Sequence, residues 1–399
     1  VSQAGTLILI MSIAVLAPLL AYGISRRLPV PLVIFEILLG ILAGPDVLGW
    51  AGDGPVIDTL SDLGLAMLIF LAGYEIEFDR VRGATLKRSL WAWLTALVVG
   101  LALASTLTGL SKGVYIGTAL TSTALGTVLP VLRDAGDLHS RFGSVMTTFG
   151  AVGEFGPIIA IALLLSGRSP GRSTAVLAAF ALLTAAAVWW AMRPRPPWFP
   201  RVIARTLHSS GQFAVRLVVL LLAVMLGISQ ALGLDTLLGA FAAGMLTRLL
   251  LHGAAPESAG PVLEKVEAMG FGFLVPVFYV VTGMEFDLDA LLSGGRALLL
   301  LPVFLLLFLL VRGLPVYALA PPDLVRRDRR ALTLFASTAL PLVVAITTIG
   351  VDDGVLKTEE AAALVGAAML SVLLFPLAGL RLRGERRTVE EPLGGTESW

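Results

Sequence analysis

No cysteine occurs among the 399 residues, which excludes disulfides, thiolate metal sites and thiol redox chemistry within the chain. Histidine is almost as scarce: His139, His208 and His252 are the only three, each beside a loop, at spacings from which no zinc or haem site can be assembled. Charged residues make up only 14%, and their near balance, a formal net charge of +1, provides no electrostatic footprint for nucleic acid. No cofactor is expected, and no nucleic-acid partner.

What the chain does contain is apolar: 57% of its residues are hydrophobic, and the mean hydropathy is +0.89. A water-soluble domain of that composition would expose large apolar patches. The soluble alternative, two α/β domains with buried helices, predicts a polar face on nearly every helix, whereas many segments here are apolar all round. Lipid is therefore the expected solvent, and the expected fold class is an all-α integral membrane protein. The N-terminal stretch Thr6–Ile24 has no basic n-region and no small-residue cleavage site, so it reads as a first spanning helix and not a signal peptide.

Apolar runs able to cross a hydrocarbon core of roughly 30 Å recur along the chain. The spacing predicts about thirteen helices. The first seven are Thr6–Ile24, Pro29–Gly44, Leu60–Phe78, Ser89–Leu110, Val114–Leu132, Ser144–Ser166 and Thr174–Met192. The remainder are Phe213–Gln230, Leu234–Leu251, Ala268–Thr282, Ala297–Ala320, Ala331–Gly350 and Thr358–Leu380. Short cytoplasmic loops collect Lys and Arg. With the N-terminus outside, the inner side receives Arg26 and Arg27; Arg80, Arg82, Lys87 and Arg88; Arg193, Arg195, Arg201 and Arg205; Arg326, Arg327, Arg329 and Arg330; and Arg381 through Arg387. The outer side receives mostly acids, Asp46, Asp53, Asp58, Asp235, Asp287, Asp352 and Asp353, with Lys112, Arg168, Arg172, Arg296 and Lys357 as exceptions. This topology places the chain in the cell membrane with the C-terminus cytoplasmic. The tail after Leu380 is short, basic and then Gly- and Glu-rich, and is expected to hold no nucleotide-binding or sensor domain.

Two stretches resemble each other, Phe70-Leu-Ala-Gly-Tyr-Glu-Ile-Glu-Phe-Asp79 and Val280-Val-Thr-Gly-Met-Glu-Phe-Asp-Leu-Asp289. A second pair follows in the same order, Ser122-Thr-Ala-Leu125 and Ser337-Thr-Ala-Leu340, with both offsets about 210 to 215 residues. Helices seven spans apart run oppositely through a bilayer, so the repeat is expected to be inverted, an architecture of secondary transporters that bind near the midplane. The expected organisation is a first repeat over residues 1–170, a linker helix and basic loop over 171–211, a second repeat over 212–380 and a tail over 381–399. The core helices lie at about 60–166 and 268–380.

Glu154, in Phe149-Gly-Ala-Val-Gly-Glu-Phe-Gly-Pro157, lies about ten residues into its predicted span, near half the core thickness at about 1.5 Å per residue. A carboxylate at that depth costs roughly 2.5 to 3.5 kcal/mol on insertion scales and should be paired or face a wet cavity. Gly150, Gly153, Gly156 and Pro157 loosen its helix. Two readings stand side by side: Glu154 neutralises Arg312, the one arginine in Leu305-Leu-Leu-Phe-Leu-Leu-Val-Arg-Gly-Leu-Pro315, or it binds an ion or a proton. The hydroxyl pairs Ser122-Thr123 and Ser337-Thr338 serve either helix packing or an unwound segment with free oxygens; Gly126, Pro130 and Pro341 nearby favour broken helices. Glu36 precedes the small-residue spacing Gly40-x-x-x-Gly44, which suits close packing or an interface. Glu75 and Glu285 close the two repeat copies as solvated helix-end carboxylates or as gates.

In this order these residues resemble the monovalent cation/proton antiporter superfamily, with the sodium/proton exchanger fold, as a cation/proton antiporter-2-like membrane domain over essentially the whole chain. The resemblance is carried by Glu36 to Pro45, the helix ends Phe70–Glu75 and Thr282–Asp287, Thr121-Ser-Thr-Ala124, Val311-Arg-Gly-Leu-Pro-Val316 and the acidic sixth helix. It implies a homodimer, a six-helix core with elevator-like motion, helices five and twelve as a crossed, discontinuous pair, and Glu154 in the place of the ion-binding acid. The chain departs from the family where Asp-Asp, Asn-Asp or Gln-Asp is usual, reading Gly153-Glu154-Phe155 instead. A lone acid that holds either a cation or a proton exchanges them one for one, so electroneutral exchange of Na+ or K+ for H+ is expected, with membrane lipid, cation and protons as partners. The competing expectations are a proton-coupled transporter of a larger organic ion and a channel-like cation pathway. A receptor lacks an output domain, and an intramembrane hydrolase lacks a partner set for a nucleophile.

Overall fold

The computed structural model describes residues 2–25, 30–52, 54–75, 83–138, 140–165, 170–191, 193, 196, 198–207, 209–293 and 295–383. Arg26, Arg27, Asp53, Asp79, Arg80, Arg82, His139, Arg168, Arg195, His208 and the tail from residue 384 lie outside the described residues, as do the side chains of Arg172 and Arg296.

The described residues form helices and connections, with no strand among them. The first nine helices are α1 (Gln3–Ser25), α2 (Leu32–Ala43), α3 (Pro55–Glu75), α4 (Gly83–Thr108), α5 (Leu110–Ala119), α6 (Leu125–Asp134), α7 (Arg141–Leu164), α8 (Pro170–Ala191) and α9 (Trp198–Thr206). Then come α10 (Phe213–Leu232), α11 (Thr236–Ala254), α12 (Pro256–Met269), α13 (Val275–Met284), α14 (Leu288–Ser293) and α15 (Arg296–Leu307). The last four are α16 (Leu314–Leu319), α17 (Arg326–Ala336), α18 (Pro341–Asp352) and α19 (Thr358–Arg383). Among the described residues ten stretches, one of them the interrupted Arg326–Asp352, are long and apolar enough to cross a bilayer, and Leu32–Ala43 and Thr174–Trp190 are shorter apolar helices.

Each expected segment falls on one of these helices or on an interrupted pair. The largest boundary difference is at Pro256–Met284, which begins twelve positions before the expected Ala268. Glu257, Glu264, Lys265 and Glu267 end the apolar run there without ending the helix, because an amphipathic stretch continues where one face is solvated.

Two wide π turns, Gly270–Leu274 and Phe308–Gly313, join α12 to α13 and α15 to α16. Each ends two residues before a proline, Pro276 and Pro315. Proline lacks an N–H and its ring crowds the carbonyl four residues back, and one wider turn relieves both problems without breaking the rod.

Elsewhere the chain does break. The rod containing α5 and α6 is interrupted between Ala119 and Leu125, and that of α17 and α18 between Ala336 and Pro341. In the first break the Thr121 and Ser122 hydroxyls donate to the carbonyls of Thr118 and Ala119, at 2.8 and 2.7 Å, alongside the i to i−3 bonds that their own N–H groups make to the same carbonyls at 3.1 and 3.2 Å. In the second, Pro341 opens α18 and drives Leu340 out of the helical region, to φ −157° and ψ −65°.

The two stretches that resemble each other in sequence make corresponding contacts. At the end of α3, a side chain on Gly73 would strike the Phe241 carbonyl of α11, and one on Gly244 would strike that of Phe70. At the end of α13, a side chain on Gly283 would strike the Ile37 carbonyl of α2, and one on Gly40 would strike that of Val280. In both stretches the glycine of Gly-x-Glu thus lets two backbones approach within one residue's width.

Packing sorts the helices. α7 lies against α4, α5, α6, α17 and α18 and also touches α8 and α11, whereas α1, α2, α3, α10, α11 and α13 pack mainly on one another. Large apolar side chains such as Val15, Leu19, Trp91, Val98, Leu220 and Leu299 point outward from α1, α4, α10 and α15. That is the surface expected of helices bathed in lipid.

Candidate functional site

The two helix interruptions meet beside Glu154. The Ala124 N–H donates to the Thr338 carbonyl at 2.7 Å, and the Thr123 hydroxyl donates to the Ala336 carbonyl at 2.6 Å. A third bond, from the Thr123 N–H to the Gly153 carbonyl at 2.9 Å, fastens the first break to α7 one residue before Glu154. Backbone groups released by both breaks are therefore largely satisfied across elements, as an apolar surrounding requires.

Arg312, held in the π turn, is completely buried. Its Nε donates to the Thr123 hydroxyl at 3.1 Å and its Nη2 to the Phe149 carbonyl at 2.8 Å. Thr123 is thus a hub that donates through its N–H and its hydroxyl while accepting from the guanidinium. A Cβ at Gly153 would collide with both the Thr123 hydroxyl and Arg312 Nη2, so any larger residue requires those side chains to shift.

Glu154 is 2% exposed, just past the middle of α7. The backbone N–H of Leu125, the first residue of α6, faces its carboxylate. A helix N-terminus of this kind offers unsatisfied N–H groups and a partial positive charge to an anion. Glu154 Oε2 nevertheless remains enclosed and without a hydrogen-bond partner, and so does Arg312 Nη1. The two charges are not hydrogen-bonded to each other. Arg312 braces the breaks, and Glu154 keeps one oxygen free.

The other predicted residues divide into those gathered here and those that are not. Ser122 and Ser337 are buried at the breaks and donate back to Ala119 and Thr333 carbonyls, at 2.7 and 2.8 Å. Thr338 donates to the Leu334 carbonyl at 3.3 Å. With their protons committed, these hydroxyl oxygens retain acceptor lone pairs. Glu75 ends α3 with Oε2 enclosed and unpartnered; Arg133, Arg248, Glu267 and Glu154 are within electrostatic reach. Glu36 is buried on α2 at the wall of a cavity of about 650 Å³, and not within the cluster around Arg312. Glu285 is exposed at the C-cap of α13, outside the buried cluster.

Two residues of the site escaped sequence reasoning. Ser371 of α19 accepts from the Ala339 N–H at 3.0 Å and donates to the carbonyls of Ala339 and Ala368, which ties the second break to α19. Its only signal was a lone hydroxyl in a long apolar run. Tyr279 of α13 lines the same cavity as Glu36 and lies within electrostatic reach of both Glu36 and Glu154. Among the described residues no group of three or more His, Asp or Glu could hold a metal ion. The chemistry available is that of one buried carboxylate flanked by a helix N-terminus and by hydroxyl and carbonyl oxygens: it can take a proton or a small cation stripped of its water.

The chain is similar to known proteins along nearly its whole length. YjbQ of Bacillus subtilis (strain 168), named as a candidate Na+/H+ antiporter, is 27% identical over 415 residues, which is 98% of this chain and 65% of that protein. The chain therefore spans less than two thirds of that relative's length. GerN of Bacillus cereus, a Na+/H+-K+ antiporter, is 25% identical over 288 residues, covering 70% of this chain and 72% of GerN. The structure of the sodium proton antiporter MjNhaP1 from Methanocaldococcus jannaschii at pH 8 superimposes with a TM-score of 0.64 at 15% identity, over 94% of this chain and 97% of that one, so the fold is shared. Residues 11–379 match the family model described as sodium/hydrogen exchanger, transmembrane, and the chain belongs to that family of multi-pass membrane proteins, within the monovalent cation/proton antiporter superfamily.

Proposed function

We propose that the chain exchanges a monovalent cation, Na+ or K+, for H+ across a cell membrane by alternating access, with both substrates competing for Glu154. The observation that carries this reading is the enclosed Glu154 Oε2 without a partner, at the junction of two interrupted helices. An unpaired carboxylate costs too much to bury in an apolar surrounding unless it spends its time neutralised. A proton or an alkali cation neutralises it equally. The hydroxyl oxygens of Ser122, Ser337 and Thr338 keep acceptor lone pairs at the breaks, and Thr123 keeps one beside the bond it accepts from Arg312, an oxygen set that suits a dehydrated cation. Relatives that carry the names of Na+/H+ and Na+/H+-K+ antiporters support the substrate class.

One carboxylate with two alternative occupants gives one-for-one exchange. Arg312 carries its charge in both directions of the cycle, so it contributes nothing to the net charge moved. The cycle is electroneutral. The corresponding contacts of Gly73 and Gly283 support an inverted repeat, with the linker over 171–211 between the halves. We draw the moving core more narrowly than residues 60–166 and 268–380: α4–α7 with α15–α19 form it, and α1–α3 with α10–α13 form the scaffold and the homodimer contact. The N-terminus faces out and the C-terminus faces the cytoplasm.

The test is proton flux in everted vesicles on adding Na+, K+ and Li+ in turn, for the wild type and Glu154→Gln. Flux that follows Na+ or K+ and vanishes in Glu154→Gln is expected, with a turnover indifferent to an imposed voltage. No response to any alkali cation removes the exchange reading, and coupled flux retained by Glu154→Gln removes Glu154 from it.

A further inference from the structure

The cavity of about 650 Å³ is bounded by α2, α6, α13 and the ends of α1 and α19. Its wall is almost entirely apolar, with Val33, Pro130, Phe271 and Leu380 among the lining residues. Among the described residues Glu36 is the only carboxylate on that wall, and no described Lys, Arg or His lines it. A carboxylate placed alone on an apolar wall has no structural charge to balance. Nor does the packing of α2 need it, since the close approach of α2 to α13 is made by Gly40 and Gly283.

That close approach also determines what stands beside Glu36. One helical turn before Gly40 comes Glu36, and one turn before Gly283 comes Tyr279. Both line the cavity. Neither side chain makes a hydrogen bond to another described residue, and neither has a polar atom sealed away from the cavity. Across the cavity stands α6, whose wall includes Gly126 and Thr127 and whose first N–H faces Glu154. Tyr279 is within electrostatic reach of Glu36 on one side and Glu154 on the other.

We propose that Glu36 and Tyr279 form a loading station on the cavity wall, where an incoming monovalent cation is held by the Glu36 carboxylate and the Tyr279 phenol oxygen before it passes to Glu154. The proposal rests on the exchange reading above and extends it with a second, transient site. An acidic group in a low-dielectric cleft raises the local concentration of counter-ions. It acts on capture of the cation, leaving the exchange step at Glu154 as it was. Glu36 touches the cation only at this transient stage of the scheme.

Purified full-length protein in liposomes carrying an internal pH dye, titrated with Na+ and with K+, separates the roles. Glu36→Gln should raise the half-saturating cation concentration by about tenfold while the maximal rate stays within about twofold. Glu36→Asp should restore most of the affinity, and Tyr279→Phe should shift it in the same direction by less. These outcomes support the station. An unchanged half-saturation in Glu36→Gln and Tyr279→Phe overturns it and leaves the exchange reading standing. So does a fall in maximal rate that Glu36→Asp does not restore, which marks Glu36 as structural. If Glu36→Gln is not recovered monodisperse, Tyr279→Phe and Glu36→Asp carry the same comparison. A monodisperse wild type without any cation-dependent flux removes the exchange reading, and the station falls with it.

Discussion

The bond between Arg312 Nε and the Thr123 hydroxyl joins the π turn to the first helix break, and its removal has a calculable consequence. Thr123→Val keeps the shape of the side chain but deletes the hydroxyl, which leaves the Ala336 carbonyl and Arg312 Nε without a partner. Two bonds are lost, one of them to a charged group, and at about 1 kcal/mol for a neutral bond and about 1.5–3 kcal/mol for a charged one the cost is about 2.5–4 kcal/mol. Arg312→Met removes the bonds to Thr123 and to Phe149 but also removes a fully buried charge, and the second effect offsets part of the first. The double variant no longer contains the shared bond, so its cost should fall short of the sum by about 1.5–3 kcal/mol. Equilibrium unfolding by SDS in mixed micelles measures all three. Additivity within about 0.5 kcal/mol would mean that Arg312 and Thr123 do not act as one unit, and the bracing role assigned to Arg312 would be refuted.

Two further substitutions probe the same framework. Gly153→Ala places a methyl group against Thr123 and Arg312 Nη2, both immobilised by their own bonds, and should destabilise by about 1–3 kcal/mol, read as a lowered melting temperature together with reduced flux. Melting unchanged from the wild type would show that the junction is looser than described. Arg383, buried at the end of α19, donates to both oxygens of Asp137, at 3.0 and 2.9 Å, and to Asp328 at 2.7 Å while lying over the Phe142 ring. Arg383→Ala leaves two partly buried carboxylates facing each other and should cost about 3–5 kcal/mol, whereas Asp328→Asn should cost far less.

Much of this architecture was legible one residue at a time. Lipid as solvent followed from composition, and the helices from apolar runs, because backbone groups in lipid must be satisfied within a rod. Glu154 stood out because an acid in such a run is rare and expensive. The hydroxyl pairs beside Gly126, Pro130 and Pro341 marked where rods would fail, and both breaks lie there. Hydropathy alone placed the start of Pro256–Met284 too late, since charge on one face hides a helix from a window average.

Pairwise facts were another matter. Two buried, opposite charges invite pairing, and nothing local to Glu154 or Arg312 says otherwise. Only the folded arrangement turns the guanidinium toward Thr123 and the Phe149 carbonyl, because those acceptors come from a break in another helix and from a turn of α7 that no spacing rule connects to residue 312. Ser371 and Tyr279 were hidden for the same reason. A serine or tyrosine in an apolar helix is ordinary until a broken backbone or a cavity is brought against it. The sequence by itself determined the solvent, the rods, the weak points along them and Glu154 as an acid deep within a span, since each depends on local composition and helical period. Which oxygen of that acid stays free was decided by the tertiary structure, because hydrogen-bond satisfaction inside a membrane protein is settled between helices far apart in the chain.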